Sequence, residues 1–189
     1  MLWRRRKKYP LNPRPPHRHK LRRQQAILQV RCRSLSLEQN QKPTTKIRYN
    51  KKMVMTKVLA ACLMLASQTY SVPPAVMVGI LQVEGGQVGQ QVKNTNGTYD
   101  LGPMQINTIW MPELAEKWGV HEQVAKRWVR DDPCTNMGVA AWILKNHINR
   151  TGSLSKAIQH YHSRTPKFGT AYKAKVVSAM RRKGLLKYK

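Results

Sequence analysis

Glu84 closes a run, Ala75 to Glu84, in which Met77, Ile80, Leu81 and Glu84 fall on one helical stripe. A carboxyl group on an apolar stripe loses hydration when it ionises. In the last turn of a helix it also meets the negative end of the dipole. Both effects push its pKa upward. A carboxylic acid that keeps its proton near neutrality can protonate a departing oxygen, as cleavage of a glycosidic bond requires. Against this stands an ordinary helix-end glutamate that reaches back to water, the commoner case for such a residue taken alone.

The other acids constrain which cleavage is open. A glycosidase working with two carboxylates needs them about 5–9 Å apart. Residues 55–189 hold seven acids. Glu113, Glu116 and Glu122 fall on solvent faces of helices, Asp131 and Asp132 read as helix caps, and Asp100 reads as a turn residue. The inventory therefore suits a chemistry that one carboxyl group carries out alone. His147, His160 and His162 match no strong metal-ligand spacing and read as surface or groove histidines, so neither a metal nor a cofactor is expected. Trp110, Trp118, Trp128 and Trp142 read as core anchors, with one available to stack on a sugar.

The elements that must position these residues are helical. Pro74 opens the helix that ends at Glu84, and Gly85 and Gly86 stop it. Gly85 to Asp100 is a polar loop with Asn94, Asn96 and Gly97 as turn residues. Pro112 to Trp118 and His121 to Val129 are short helices. Asp132 and Pro133 begin a longer one with Met137, Ala141, Leu144 and Ile148 inward. Ser153 caps a helix to about His162. The last runs from Ala171 to Lys183, with Tyr172, Val176 and Met180 on its stripe. No segment alternates with period two, and no internal repeat occurs. The expected class is mainly α, with little or no β-sheet.

Charge divides the chain. The 189 residues carry a formal +27. Residues 1–54 hold 17 Lys/Arg against the single acid Glu38, a net +16, and residues 55–189 a net +11. Four prolines between Pro10 and Pro16 and the density of like charge predict a disordered basic extension over 1–54, followed by one domain over 55–185. Gln24 to Val30 could form a short helix within it. The extension is open to three readings: a solvated tail, a nucleic-acid or anionic-membrane contact, or a segment upstream of a true start at Met53 or Met55. Val58 to Ala66 is too short to span a bilayer. It fits either the apolar core of a secretory signal or a first structural helix with Leu59, Cys62, Leu63, Ala66 and Tyr70 inward.

Three motifs then fall in order: Val83-Glu84-Gly85, the run Gly97-Thr-Tyr-Asp-Leu-Gly-Pro-Met-Gln-Ile-Asn107, and Ala157-Ile-Gln-His-Tyr-His-Ser-Arg-Thr-Pro166. With Cys62, Tyr70 to Pro74, and Asp132 to Asn136, they resemble the lytic transglycosylases of the soluble-transglycosylase and goose-type-lysozyme superfamily. The similarity is to the small enzymes of conjugation, pilus and type IV secretion systems, and it covers roughly residues 58–180. It implies a lysozyme-like fold and cleavage of peptidoglycan between N-acetylmuramic acid and N-acetylglucosamine, leaving 1,6-anhydromuramyl ends. It further implies Glu84 as the single catalytic acid. Gly102, Met104, Gln105 and Ile106 would line the sugar groove, with Gly97 and Asp100 in the loop that leads to it. Tyr161 would be the aromatic beside the carboxylate. A Cys62–Cys134 disulfide in an oxidising compartment, the periplasm or cell envelope, is implied as well. Keeping Cys62 favours Val58 to Ala66 as the first helix. A monomer is expected, with peptidoglycan strands and a secretion, conjugation or pilus assembly as partners. Three positions depart from the pattern: Gly85 where relatives have an orienting Ser, Pro103 where they have an apolar residue, and Tyr161-His162-Ser163 where many have Tyr-Asn. The alternatives are a muramidase that uses water and a non-catalytic basic protein that binds wall or DNA.

Overall fold

The computed structural model describes residues 51–186, with side chains from Met55 onward. The basic extension up to Asn50, its candidate helix Gln24 to Val30 and Cys32 lie outside the described residues. Among the described residues there are seven α-helices and three short strands: α1 (Lys51–Tyr70), α2 (Pro74–Glu84), β1 (Gln91–Lys93), β2 (Tyr99–Leu101), β3 (Ile106–Asn107), a 3-10 turn (Thr108–Trp110), α3 (Met111–Trp118), α4 (Glu122–Asp131), α5 (Pro133–Thr151), α6 (Leu154–His162) and α7 (Pro166–Arg182). No described helix is long and apolar enough to cross a membrane.

Helix α5 is the axis of the domain. Its segment Met137 to Leu144 is apolar or glycine at every position, and such a helix has no solvent face to offer. Cys134, every residue from Asn136 to Leu144, and His147 are all buried. Asp132 caps it by accepting from the Thr135 N–H, and Pro133 occupies its first turn, where a missing N–H costs nothing. Helix α1 lies along α5 and buries Cys62, Leu63, Ala66 and Tyr70 against it. Val58 to Ala66 is thus a structural helix of this fold. A Cys62–Cys134 disulfide joins the two, with Cα atoms 4.6 Å apart across 72 residues of sequence. Closing a loop of that size contributes about 4 kcal/mol in the chain-entropy account.

Helices α6 and α7 pack on each other, and α2 lies against α7. The α2–α7 approach depends on Gly79. A Cβ there would sit 2.7 Å from Met180 Cγ and 3.0 Å from Val176 Cγ1, so the two helices close to a distance a larger residue would forbid. Helix α7 begins at Pro166, a full turn before Ala171, because Pro166 supplies a pre-set first turn after Thr165.

The loop expected between Gly85 and Asp100 holds two strands instead. β1, β2 and β3 form an antiparallel sheet in sequence order, pairing Val92 with Asp100 and Asp100 with Asn107. The strands have two or three residues each and β1 is exposed throughout, too short for alternation to show. The turn between β1 and β2 does use the expected residues. Asn94 accepts from the Gly97 N–H, and Asn96 Oδ1 accepts from the Thr98 N–H and hydroxyl.

Candidate active site

Glu84 is the last residue of α2. Gly85 caps the helix at φ 61°, its N–H donating to the Leu81 carbonyl, a left-handed conformation that favours glycine. The chain then turns back so that Gly86 rests on the loop after β2. A Cβ at Gly86 would collide with the Gly102 carbonyl oxygen and the Gln105 side chain. The end of α2 and the Gly102–Gln105 loop are therefore packed without a gap.

Burial pushes the Glu84 carboxyl up to about 7. A hydrogen bond from the Tyr172 hydroxyl pulls the other way, and the negative charge of Asp100 adds to the rise. Tyr172 Oη donates to Glu84 Oε1 at 2.5 Å. Burial and the neighbouring Glu84 hold the Tyr172 hydroxyl far above its ordinary range, so it stays protonated and remains a donor. Because Oε1 accepts that bond, the carboxyl's own proton belongs on Oε2.

Tyr161 lies beside this pair but does not bond it. Its hydroxyl donates to the Met104 carbonyl at 3.0 Å, and its ring runs parallel to that of Tyr172 with centroids 6.4 Å apart. Burial and the charges of Glu84 and Asp100 push the Tyr161 hydroxyl well up. The orienting partner of Glu84 is thus Tyr172 of α7. Its place on the inward stripe was legible in the sequence; its reach to the end of α2 was not, since that follows from the α2–α7 crossing at Gly79.

The loop from Gly102 to Ile106 is held from within. Met104 and Ile106 bury their side chains in the core, 0% and 1% exposed, and Gly102 is buried beside them. Gln105 is half-buried at φ 47°, unusual for a residue other than glycine, and its Nε2 donates to the Gly102 carbonyl at 2.8 Å. Asn136 of α5, 0% exposed, fixes the loop to the core. Its Nδ2 donates to the Leu101 and Val129 carbonyls, both at 2.9 Å, and its Oδ1 accepts from the Met104 N–H at 2.8 Å. A buried side-chain amide using three of its hydrogen-bonding positions this way is a built support.

Asp100 sits in β2 rather than in a turn. Its Oδ1 accepts from Asn107 Nδ2 at 2.8 Å, and Asn107 Nδ2 also reaches Thr98 Oγ1 at 3.0 Å. Asp131 likewise caps nothing: it pairs with Arg130 at 2.7 Å, which holds its carboxyl below the usual range. His147 is buried, not a surface group; burial, with the nearby Arg150 and Arg164, pushes its pKa down to about 4. It packs edge-on against His160 and Trp110. Among the described residues no group of three or more His, Cys, Asp or Glu side chains is placed to hold a metal. Trp142 is a core anchor, with Trp110 edge-on to it.

Similarity to known proteins bears on this geometry. The family described as Transglycosylase SLT domain matches residues 61–177, which include Cys62, Glu84, the Gly102–Ile106 loop, Asn136, Tyr161 and Tyr172. A protein named peptidoglycan-binding-like protein from Escherichia coli O157:H7 is 25% identical over 115 residues, covering 58% of this chain and 67% of its own. Invasion protein IagB of Salmonella typhimurium is 30% identical over 110 residues, covering 56% of this chain and 64% of its own. The matched stretch thus spans about two thirds of the length of these relatives.

Proposed function

Since this chain belongs to the transglycosylase SLT domain family, we propose that it is a peptidoglycan lytic transglycosylase with Glu84 as its only catalytic carboxyl. The observation that carries this reading is the state of Glu84. It is a half-buried acid whose desolvation pushes the carboxyl up to about 7, one oxygen held by Tyr172 and the other left to carry a proton.

The reaction follows from that arrangement. Protonated Glu84 gives its proton to the glycosidic oxygen between N-acetylmuramic acid and N-acetylglucosamine as the bond to C1 breaks. The muramyl 2-acetamido group stabilises the electron-poor C1. Glu84, now a carboxylate, takes the proton from the sugar's own 6-hydroxyl, whose oxygen closes on C1. The product is a 1,6-anhydromuramyl end, and Glu84 is protonated again for the next cycle. Tyr172 donates throughout, so it stabilises the carboxylate formed midway.

The wall is the substrate that the family implies, and the net +11 of residues 55–189 suits an anionic polymer. A disulfide between α1 and α5 is compatible with an oxidising compartment and supports the reading of a periplasmic or cell-envelope protein. Similarity to a relative named for invasion supports local wall opening for a secretion, conjugation or pilus assembly.

Hydrolysis by water is the competing reading, and one observation favours it. Asp100, fixed by Asn107, acts electrostatically on Glu84 and is a second carboxylate from which a water could be activated. Lysis of purified sacculi by wild type and by Glu84→Gln tests the catalytic core common to both. The wild type should release soluble fragments, and Glu84→Gln should lose at least about a hundredfold in rate, the scale of general acid–base catalysis. Equal release by the two proteins would remove Glu84 from the mechanism. No release by the wild type would favour a binding protein.

A further inference from the structure

Gly85 gives Glu84 no neighbouring side chain to orient it. A Cβ at residue 85 would meet no atom within 4 Å beyond its chain neighbours. Among the described residues, the one side-chain hydrogen bond that orients the carboxyl comes from Tyr172. The Tyr172 ring must then be held so that its hydroxyl points at Oε1.

Two rings of α6 pack on it. Tyr161 is parallel at 6.4 Å, but its hydroxyl is committed to Met104. The His162 ring lies closer and flatter, its centroid 4.7 Å from that of Tyr172 with 6° between the planes. His162 is exposed, and its side chain makes no hydrogen bond to the described residues. Among the described residues, the ring interaction of His162 is this flat stack on Tyr172, made through the ring face.

We propose that His162 is a positioning residue. By stacking on Tyr172 it keeps the tyrosyl hydroxyl on Glu84 and supplies from α6 the orientation that residue 85, lacking a side chain, does not. The proposal rests on the reading of Glu84 as the general acid. The charged and titratable groups acting on Glu84 are Tyr172 from α7 and Asp100 from β2, with Tyr161 of α6 beside them. Tyr172 alone among the influences on Glu84 lowers its pKa, so a loosened Tyr172 lets that pKa rise. The acid form then persists to higher pH.

The test is steady-state kinetics of the full chain on soluble, uncrosslinked glycan strands as a function of pH. His162→Ala should lower kcat about two- to tenfold, the worth of one aromatic pair. KM should stay unchanged and the alkaline limb of the profile should move to higher pH. His162→Phe, which keeps a stacking ring, should restore both. His162→Gln, which keeps polar atoms without a ring, should behave like His162→Ala. In Tyr172→Phe, which already lacks the hydroxyl, His162→Ala should add nothing further. A raised KM in both the Ala and Phe variants would overturn the proposal in favour of direct sugar contact. Rescue by Gln but not Phe, additive effects with Tyr172→Phe, or unchanged kinetics would also overturn it. Those results leave the role of Glu84 intact, whereas undiminished lysis by Glu84→Gln would remove the premise.

Discussion

A desolvated carboxyl costs stability whenever it is ionised, and at half-buried Glu84 that cost has a pH signature. Its folded pKa, about 7, stands above the ordinary value of 4.5. Between those values the folded protein keeps a proton that the unfolded chain has lost. Stability contributed by the raised pKa is complete below about pH 4.5 and is lost as pH climbs through 7. Glu84→Gln is uncharged throughout. It should be more stable than wild type at pH 8 by up to about 3 kcal/mol, with the gap closing near pH 4, as read from urea denaturation at the two pH values. A constant difference at both would mean that Glu84 is not desolvated in solution. The apolar stripe of Met77, Ile80 and Leu81 made this burial legible, because helical periodicity reports which face turns inward. It does not report which inward residues of different helices meet. Tyr172 is therefore legible as a residue but not as a neighbour of Glu84, nor His162 as a neighbour of Tyr172, and the local chemistry that suggests a turn at Asp100 and a cap at Asp131 is overridden by their side-chain partners.

At the scale of elements, the helices were readable because their punctuation is chemical: Pro74, Pro133 and Pro166 in first turns, Asp132 and Ser153 as caps, Gly85, Gly119 and Gly152 in left-handed stops. The small sheet was not readable. Strands of two or three residues carry no period, and the sheet is tied to the core by contacts distant in sequence, with α4 and α5. Asn136 makes that dependence explicit, since it ties Leu101 and Met104 to the central helix. Removing its side chain leaves the Met104 N–H and the Leu101 and Val129 carbonyls without the amide. Asn136→Ala should cost about 2–4 kcal/mol in denaturant unfolding. Because the Gly102–Gln105 loop is then no longer held against Gly86, lysis should fall even at temperatures where the variant remains folded. Full activity in a folded Asn136→Ala protein would show that the loop keeps its place without the amide.

Charge and reaction outcome are properties of the whole molecule. Every acid of the chain precedes Pro133, and the part that forms α5, α6 and α7 carries only basic charge. Association with an anionic wall should therefore weaken as salt rises, since exposed charges are screened beyond about 8–10 Å at physiological ionic strength. Co-sedimentation of Glu84→Gln with sacculi, which separates binding from cleavage, should show a steep loss between low and high salt; salt-independent retention would assign binding to the groove alone. The central claim is that one carboxyl residue performs both proton transfers and that the sugar attacks itself. Mass spectrometry of the fragments released from sacculi by the wild-type protein reads that directly. The account predicts muropeptides ending in 1,6-anhydromuramic acid, each lighter by one water than its hydrolysed counterpart, and none from Glu84→Gln. Reducing muramic acid ends in their place would show that water, not the 6-hydroxyl, is the nucleophile.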